Sequence, residues 1–308
     1  MGIPPPQIVD VDVGNGRNRP GLNARADAEV ALDIQVVAAV APEARILVYF
    51  TELSEPGLVA GVSRAVHGPE RPSVIIITWG EPETVWPAES RLGLDPVLQD
   101  AVRLGITVVA TAGDDLAWEH MDGNKVYVNY PASSPYVLAC GGTRISLDPE
   151  RSSIVDEVVW NDRGLRGTGG GISEKYIEPS FQRGAHVPGS LNDGKSGRGV
   201  PDVAAAAAPT NGYRIFVNGK AVVASGTSAV APLLGAFIAL LNAERGRALG
   251  FINDRLYEAP ELFKPITSGD NVDVESGLGY TAGPGWSACT GLGSPKGDAL
   301  IATLTAVA

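Results

Sequence analysis

Ser228 lies in the octapeptide Ser225-Gly226-Thr227-Ser228-Ala229-Val230-Ala231-Pro232, between a β-rich segment (213–224) and an apolar helical one (231–242). A serine at a helix start exposes its hydroxyl where the helix dipole favours developing negative charge. Gly226 allows a substrate backbone to come close. The same residue types also serve as ordinary N-caps. A serine nucleophile needs a base, most often histidine, and the chain has three. His67 runs into the turn Gly68-Pro69-Glu70-Arg71-Pro72, His120 lies in a polar stretch, and His186 lies in a loop before Pro188. None is set as a buried base on a helix. If Ser228 is a nucleophile, another group takes its proton.

Carboxylates are the candidates. Residues 27–41 read as an Ala-rich helix ended by Pro42. Glu29 and Asp33 are four apart and share one face of it. Their surroundings are nearly all apolar, which predicts burial and a split pair of pKa values. A solvated helix end with Asp27 and Glu29 near the positive dipole is the alternative. A third carboxylate, Asp114, follows the apolar run 105–113, which reads as a buried parallel strand. Open α/β sheets place their sites just past the carboxyl ends of strands, although such an Asp also caps turns.

The elements that must position these groups alternate. Apolar β-rich runs occur at 8–13, 46–50, 74–79, 107–112 and 137–140, with helical patterns at 27–41, 58–67 and 90–104. That order predicts an α/β fold with a parallel central sheet and helices on both faces. Residues 213–224 read as a hairpin turning at Asn218-Gly219. The 308 residues suit one domain spanning 1–308, and 38 glycines with 23 prolines indicate ordered loops, given 44% hydrophobic content. With 35 acidic and 24 basic residues, a net charge of −11 and no Lys/Arg cluster, the chain is not expected to bind nucleic acid. No apolar run is expected to span a membrane. Cys140 reads as a core thiol ending a strand and Cys289 lies in a Gly-rich loop; a disulfide between them stays open. A cysteine nucleophile lacks a histidine placed to activate it.

Together these residues resemble the sedolisin family, the serine-carboxyl peptidases, and its kumamolisin-like branch. The resemblance covers nearly the whole chain, through Glu29-Val-Ala-Leu-Asp33, Ile77-Thr-Trp79-Gly80, Ala112-Gly-Asp114, Tyr130-Pro-Ala-Ser-Ser-Pro, Thr168-Gly-Gly-Gly171, Gly197-Arg-Gly-Val-Pro-Asp-Val203, Ser225-Gly-Thr-Ser228 and Cys289-Thr-Gly-Leu-Gly-Ser294. It implies a subtilisin-like fold and an acid-active serine endopeptidase cleaving peptide or protein substrates. Ser228 would be the nucleophile and Glu29 the general base. Asp33 would hydrogen-bond Glu29, and Asp114 would complete the oxyanion hole with the Ser228 N–H. Trp79 would stand near the carboxylates, with Gly226 and Thr227 supporting the serine. The alternative is a catalytically weak or inactive homologue acting as a peptide-binding protein or subunit.

The sequence departs from the family pattern in three places. The family's calcium site expects aspartates where Pro265 and Ser287 stand, so no calcium or other cofactor is expected there; Asp270, Asp273 and Glu275 form a separate acidic loop expected to be solvated. The family's first core strand and helix are missing before Met1-Gly-Ile-Pro-Pro-Pro, and with them an acidic residue that supports the Glu/Asp pair. No propeptide or signal peptide is read here, and localisation, extracellular by family analogy, stays open. The absent strand would leave unpaired edges for another segment or a second subunit to fill. Asp115-Leu116 and Asn129 replace residues usual beside the site, so cleavage preference does not carry over.

Overall fold

A computed structural model describes residues 5–119, 121, 124–150, 152–163 and 165–306. His120 lies outside them. The labels below leave two-residue ladders unnumbered. Strand β1 (Gln7–Asp12) is followed by α1 (Ala24–Val40), β2 (Arg45–Phe50), α2 (Glu55–His67), β3 (Val74–Ile77) and α3 (Ala88–Arg103). Then come β4 (Thr107–Thr111), β5 (Leu138–Leu147), β6 (Ile154–Val159), β7 (Val203–Ala206), β8 (Tyr213–Val217), β9 (Lys220–Ala224) and α4 (Thr227–Arg245). Helices α5 (Asn253–Glu258) and α6 (Gly297–Thr305) complete the chain.

The central sheet has the order β7-β5-β4-β3, all parallel, with Val74 opposite Thr107, Val109 opposite Leu138 and Val203 opposite Cys140. Strand β5 runs past the expected end at 140 and pairs antiparallel with β6, so the sheet is mixed. Along β4 the side chains alternate between two cores, as the period of two requires. Val108 and Ala110 pack with Leu94 and Leu98 of α3 and Val62 of α2. Val109 faces the other way, towards Val230, Leu234 and Ile238 of α4. Helices therefore cover both faces, as the alternating pattern predicts. Strands β1 and β2 form a separate parallel pair, with Gln7 opposite Arg45 and Asp12 opposite Phe50.

Local signals explain the helix starts that matter. Asn23 caps α1, its Oδ1 accepting the N–H groups of Arg25 and Ala26. The β8–β9 hairpin turns at Asn218 and Gly219, both with positive φ, the combination a tight two-residue turn requires. Helix α4, contrary to expectation, is long and apolar enough to cross a membrane by length and composition; 61% of its most apolar window is buried inside the molecule, which is the environment of a core helix. Both cysteines are free and buried. Burial pushes the Cys289 thiol up to about 12 and Cys140 well above its usual value, so neither is a thiolate.

One buried ion pair ties loop to sheet. Arg198 Nη2 donates to Asp202 Oδ2 at 2.6 Å with both side chains fully buried. Asp202 also accepts from Ala139 N at 2.7 Å and from the Tyr257 hydroxyl at 2.9 Å. Removing one member of such a pair leaves an uncompensated charge. Asp202→Ala is expected to lower unfolding free energy by about 3–5 kcal/mol, read by urea denaturation; a loss no larger than that of an exposed substitution would show that the pair is not holding the fold.

Candidate active site at the start of helix α4

The site forms where β4 ends and α4 begins. Gly226 adopts φ +117°, and a Cβ there would collide with Asp114 Oδ2. Gly226 is the N-cap of α4 and makes no side-chain cap bond. Asp114 supplies the missing acceptor: its Oδ1 takes the Thr227 N–H at 2.7 Å and the Thr227 hydroxyl at 2.8 Å. Ser228 thus stands inside the first turn and is not itself the cap. Its own backbone N–H belongs to the unpaired set at a helix N-terminus.

Helix α1 packs on α4 and brings Glu29 to the serine. Burial raises the Glu29 carboxyl; the Ser228 hydroxyl partly offsets the rise, Asp114 adds to it, and Thr78 offsets it further. Glu29 Oε1 has no hydrogen-bond partner. Asp33, one turn on, is raised well above its usual value, first by burial and then by the Glu29 charge. Asp33 lines a cavity, yet its Oδ1 is closed to solvent and unpartnered, while Oδ2 accepts from the Thr78 hydroxyl at 2.9 Å. A hydrogen bond between the Glu29 and Asp33 carboxyls would require a shared proton.

Thr78 is the residue that the sequence reading missed. It follows β3 directly, at the carboxyl end of a central strand, beside the flagged Trp79. Trp79 is half-buried and lines the same cavity as Asp33. A second missed residue is Arg166. Its Nη2 donates to Asp114 Oδ2 at 2.7 Å, and its guanidinium lies 5.9 Å from the Trp160 ring centroid. Burial raises Asp114, while the Thr227 N–H and the Arg166 charge pull it back. Behind it, Glu119 is buried and raised well above its usual value by burial and by the Asp115 and Asp114 charges. Asn129, also buried, stands against Gly113.

The other candidates fall away from this cluster. His67 pairs with Asp100 at 3.2 Å on the surface of α2 and α3, and His186 is exposed. The acidic loop is solvated only in part, with Glu275 exposed. Asp273 is buried, its Oδ2 accepting from Ser276 N at 2.7 Å, and Asp270 accepts from Asn161 Nδ2 at 2.9 Å.

Residues 13–250 match the profile of the Subtilase family. The chain belongs to that family. Within it the chain is a sedolisin-type, kumamolisin-like member. It is 45% identical to kumamolisin of Bacillus sp. (strain MN-32) over 99% of this chain and 56% of that protein. It is 32% identical to human (Homo sapiens) tripeptidyl-peptidase 1 over 91% of this chain and 52% of that one. The solved structure of Pseudomonas sedolisin, a serine-carboxyl proteinase, superposes with TM-score 0.85 at 28% identity, covering 97% of this chain and 84% of that one. The chain therefore spans about half the length of the curated relatives it matches.

The raised carboxyls have a signed consequence. A group whose folded pKa exceeds its unfolded value adds stability below the unfolded value, here the ordinary 3.8 for Asp33, and loses it as pH rises through the folded one. Asp33→Asn mimics the protonated form. It is expected to leave stability in strong acid nearly unchanged and to raise it at neutral pH, flattening the decline between them. Urea unfolding at the two pH values checks this; a stability gain equal at both would show that Asp33 is not protonated by the fold.

Proposed function

We propose that this chain is an acid-active serine-carboxyl peptidase acting on peptide bonds through an acyl-enzyme on Ser228. The observation that carries the reading is the convergence of Glu29 and Asp114 on one serine at a helix N-terminus, with no histidine among Glu29's charged neighbours in the described residues. Ser228 Oγ attacks the scissile carbonyl carbon and its proton passes to Glu29. The oxyanion receives the Ser228 N–H and the protonated Asp114 carboxyl. The C–N bond then breaks as Glu29 returns the proton to the leaving amine. Water, deprotonated by Glu29, releases the acyl group. Asp33, held neutral by burial and oriented by Thr78, tunes Glu29 without touching substrate.

Acid is the condition the site asks for. Asp114 donates only while protonated, and in this structure both its oxygens accept bonds, one from Arg166. Lower pH favours the neutral form and loosens the Arg166 pair. That pair is also the observation favouring a second reading, a peptide-binding homologue with little turnover, because an ionised Asp114 held by Arg166 cannot donate to an oxyanion.

Peptide cleavage from acid to neutral pH, compared with Ser228→Ala, separates the two. An acid optimum that vanishes in the variant supports the peptidase; cleavage in neither folded protein supports the binder. Asp114→Ala is expected to cut kcat by on the order of 100–1,000-fold with KM little changed, and unchanged turnover would remove Asp114 from the oxyanion site.

We also propose that no calcium sits at the family's C-terminal position. Pro265 offers no side-chain oxygen, and Ser287 Oγ is bonded to Thr290 Oγ1 at 3.0 Å. Calcium requires about six to eight oxygens. A chelator is therefore expected to leave Tm unchanged; a Tm that falls with chelator and recovers with calcium would overturn this.

A further inference from the structure

One oxygen of Asp114 is claimed by two partners. The Thr227 N–H and the Thr227 hydroxyl both donate to Asp114 Oδ1, at 2.7 and 2.8 Å. A proton on Asp114 therefore belongs on Oδ2, the oxygen that faces Gly226 at the start of α4. Arg166 Nη2 donates to that same Oδ2 at 2.7 Å. An oxyanion held by the Ser228 N–H and by a proton on Oδ2 lies about 2.5–3.0 Å from Oδ2. The guanidinium then stands within about 6 Å of the scissile carbonyl oxygen. A substrate side chain one or two residues from the scissile bond reaches that far.

Arg166 is open to substrate and fixed at its base. Its side chain is 52% exposed, while the Asp114 carboxyl beneath it is mostly buried. The next residue, Gly167, donates its N–H to the Asp114 carbonyl at 2.8 Å and accepts the Leu116 N–H at 3.1 Å. The buried Trp160 ring lies under the guanidinium. Asp162, the acid nearest in its own loop, is taken by Arg144 and by Trp160 Nε1. Among the described residues Arg166 pairs with Asp114 alone. The charged groups facing Asp114 are Asp115 and Glu119 from its own loop, Glu29 from α1 and Arg166. The three acids disfavour its ionisation, and Arg166 with the Thr227 donors opposes them. Once Asp114 is neutral the attraction is lost, and the guanidinium keeps its charge and its donors.

We propose that Arg166 determines specificity by binding a substrate carboxylate beside the scissile bond, in exchange for the carboxylate of Asp114. The proposal rests on the peptidase reading for the place of the scissile carbonyl. The exchange couples selection to chemistry. A substrate carboxylate draws the guanidinium off Oδ2, and Oδ2 is then free to carry the proton that meets the oxyanion. A neutral substrate leaves the guanidinium competing for Oδ2. An Asp or Glu side chain near the scissile bond offers this carboxylate, and so does the free C-terminus of a peptide that ends close beyond it. The planar fork of arginine suits either. Burial holds Asp114 above the ordinary 3.8 of an aspartate. A substrate carboxylate against a guanidinium falls below its own ordinary value. Between the two, the substrate is ionised while Asp114 is neutral.

Peptide binding to the Ser228→Ala protein tests this without turnover. The probes are octapeptides of Ala, Leu and Gln, capped at both ends, with Glu replacing one residue at each central position in turn and Gln as its neutral partner. A second pair ends in a free carboxylate or an amide. At pH about 5 the carboxylate form is expected to bind on the order of tenfold tighter than its neutral partner at one or two positions. Arg166→Gln is expected to abolish the difference and Arg166→Lys to keep part of it. At pH about 7.5 ionised Asp114 retains the guanidinium, and the difference is expected to shrink to about twofold. Selection of Glu assigns the carboxylate to a side chain, and selection of the free C-terminus assigns it to the chain end; either supports the proposal. Equal binding of both forms at every position, absence of binding included, overturns it. So does the same preference in Arg166→Gln, or one as large at pH about 7.5. Selective binding with no cleavage by the unsubstituted protein would remove the peptidase reading and leave the carboxylate site standing; cleavage without selectivity would do the reverse.

Discussion

The carboxyl of Asp114 joins two elements that would otherwise end separately. By accepting the Thr227 N–H it ties the end of β4 to the start of α4, and it stands where Gly226 has no side chain. An orphan donor at a helix N-terminus is satisfied by a residue from the neighbouring strand. That single bond sets where Ser228 points, and α1, packed on α4, sets where Glu29 meets it. The Arg166 charge partly offsets the rise that burial gives the Asp114 carboxyl.

Desolvation raises the carboxyls beside Ser228. A carboxylate in water is too weak a base near neutrality to hold a serine's proton well. Placing Glu29 and Asp33 on a helix whose other faces are apolar raises both, and placing them four residues apart raises Asp33 further. Glu119, behind Asp114, adds another buried acid to the same side of the sheet. Such a cluster disfavours ionisation of the folded state, so its stability favours acid. Arg166 is the cation that contacts Asp114.

The sheet is interrupted between β2 and β3, while the apolar layer beside it is continuous. The helix layers close over the gap because Ile46 and Ile76 share one apolar cluster. Side-chain packing is roughly additive in buried area and survives the loss of a neighbour. Strand pairing has no such tolerance, because each backbone group needs its own partner. The gap therefore appears as free edges and a cavity, and the helices around it keep their places.

Much of this was legible in the chain itself. The strands at 46–50, 74–77 and 107–111 and the helices α1 to α4 follow from apolar periodicity, and the 218–219 turn from Asn-Gly chemistry. Glu29, Asp33, Asp114 and Ser228 each had an ordinary local reading and stood out together through the resemblance to the sedolisin family, and the structure gathers all four. Thr78 and Arg166 were not legible. Neither has a local pattern that marks it, and each matters only through a partner 45 or 52 positions away. The buried Asp273 belongs with them. Sequence determined which groups were present and on which face of which element they lay, because periodicity is local. Tertiary structure decided which oxygen each donor reached and which acid was shut from water, because hydrogen bonds and desolvation depend on contacts between segments far apart in the chain.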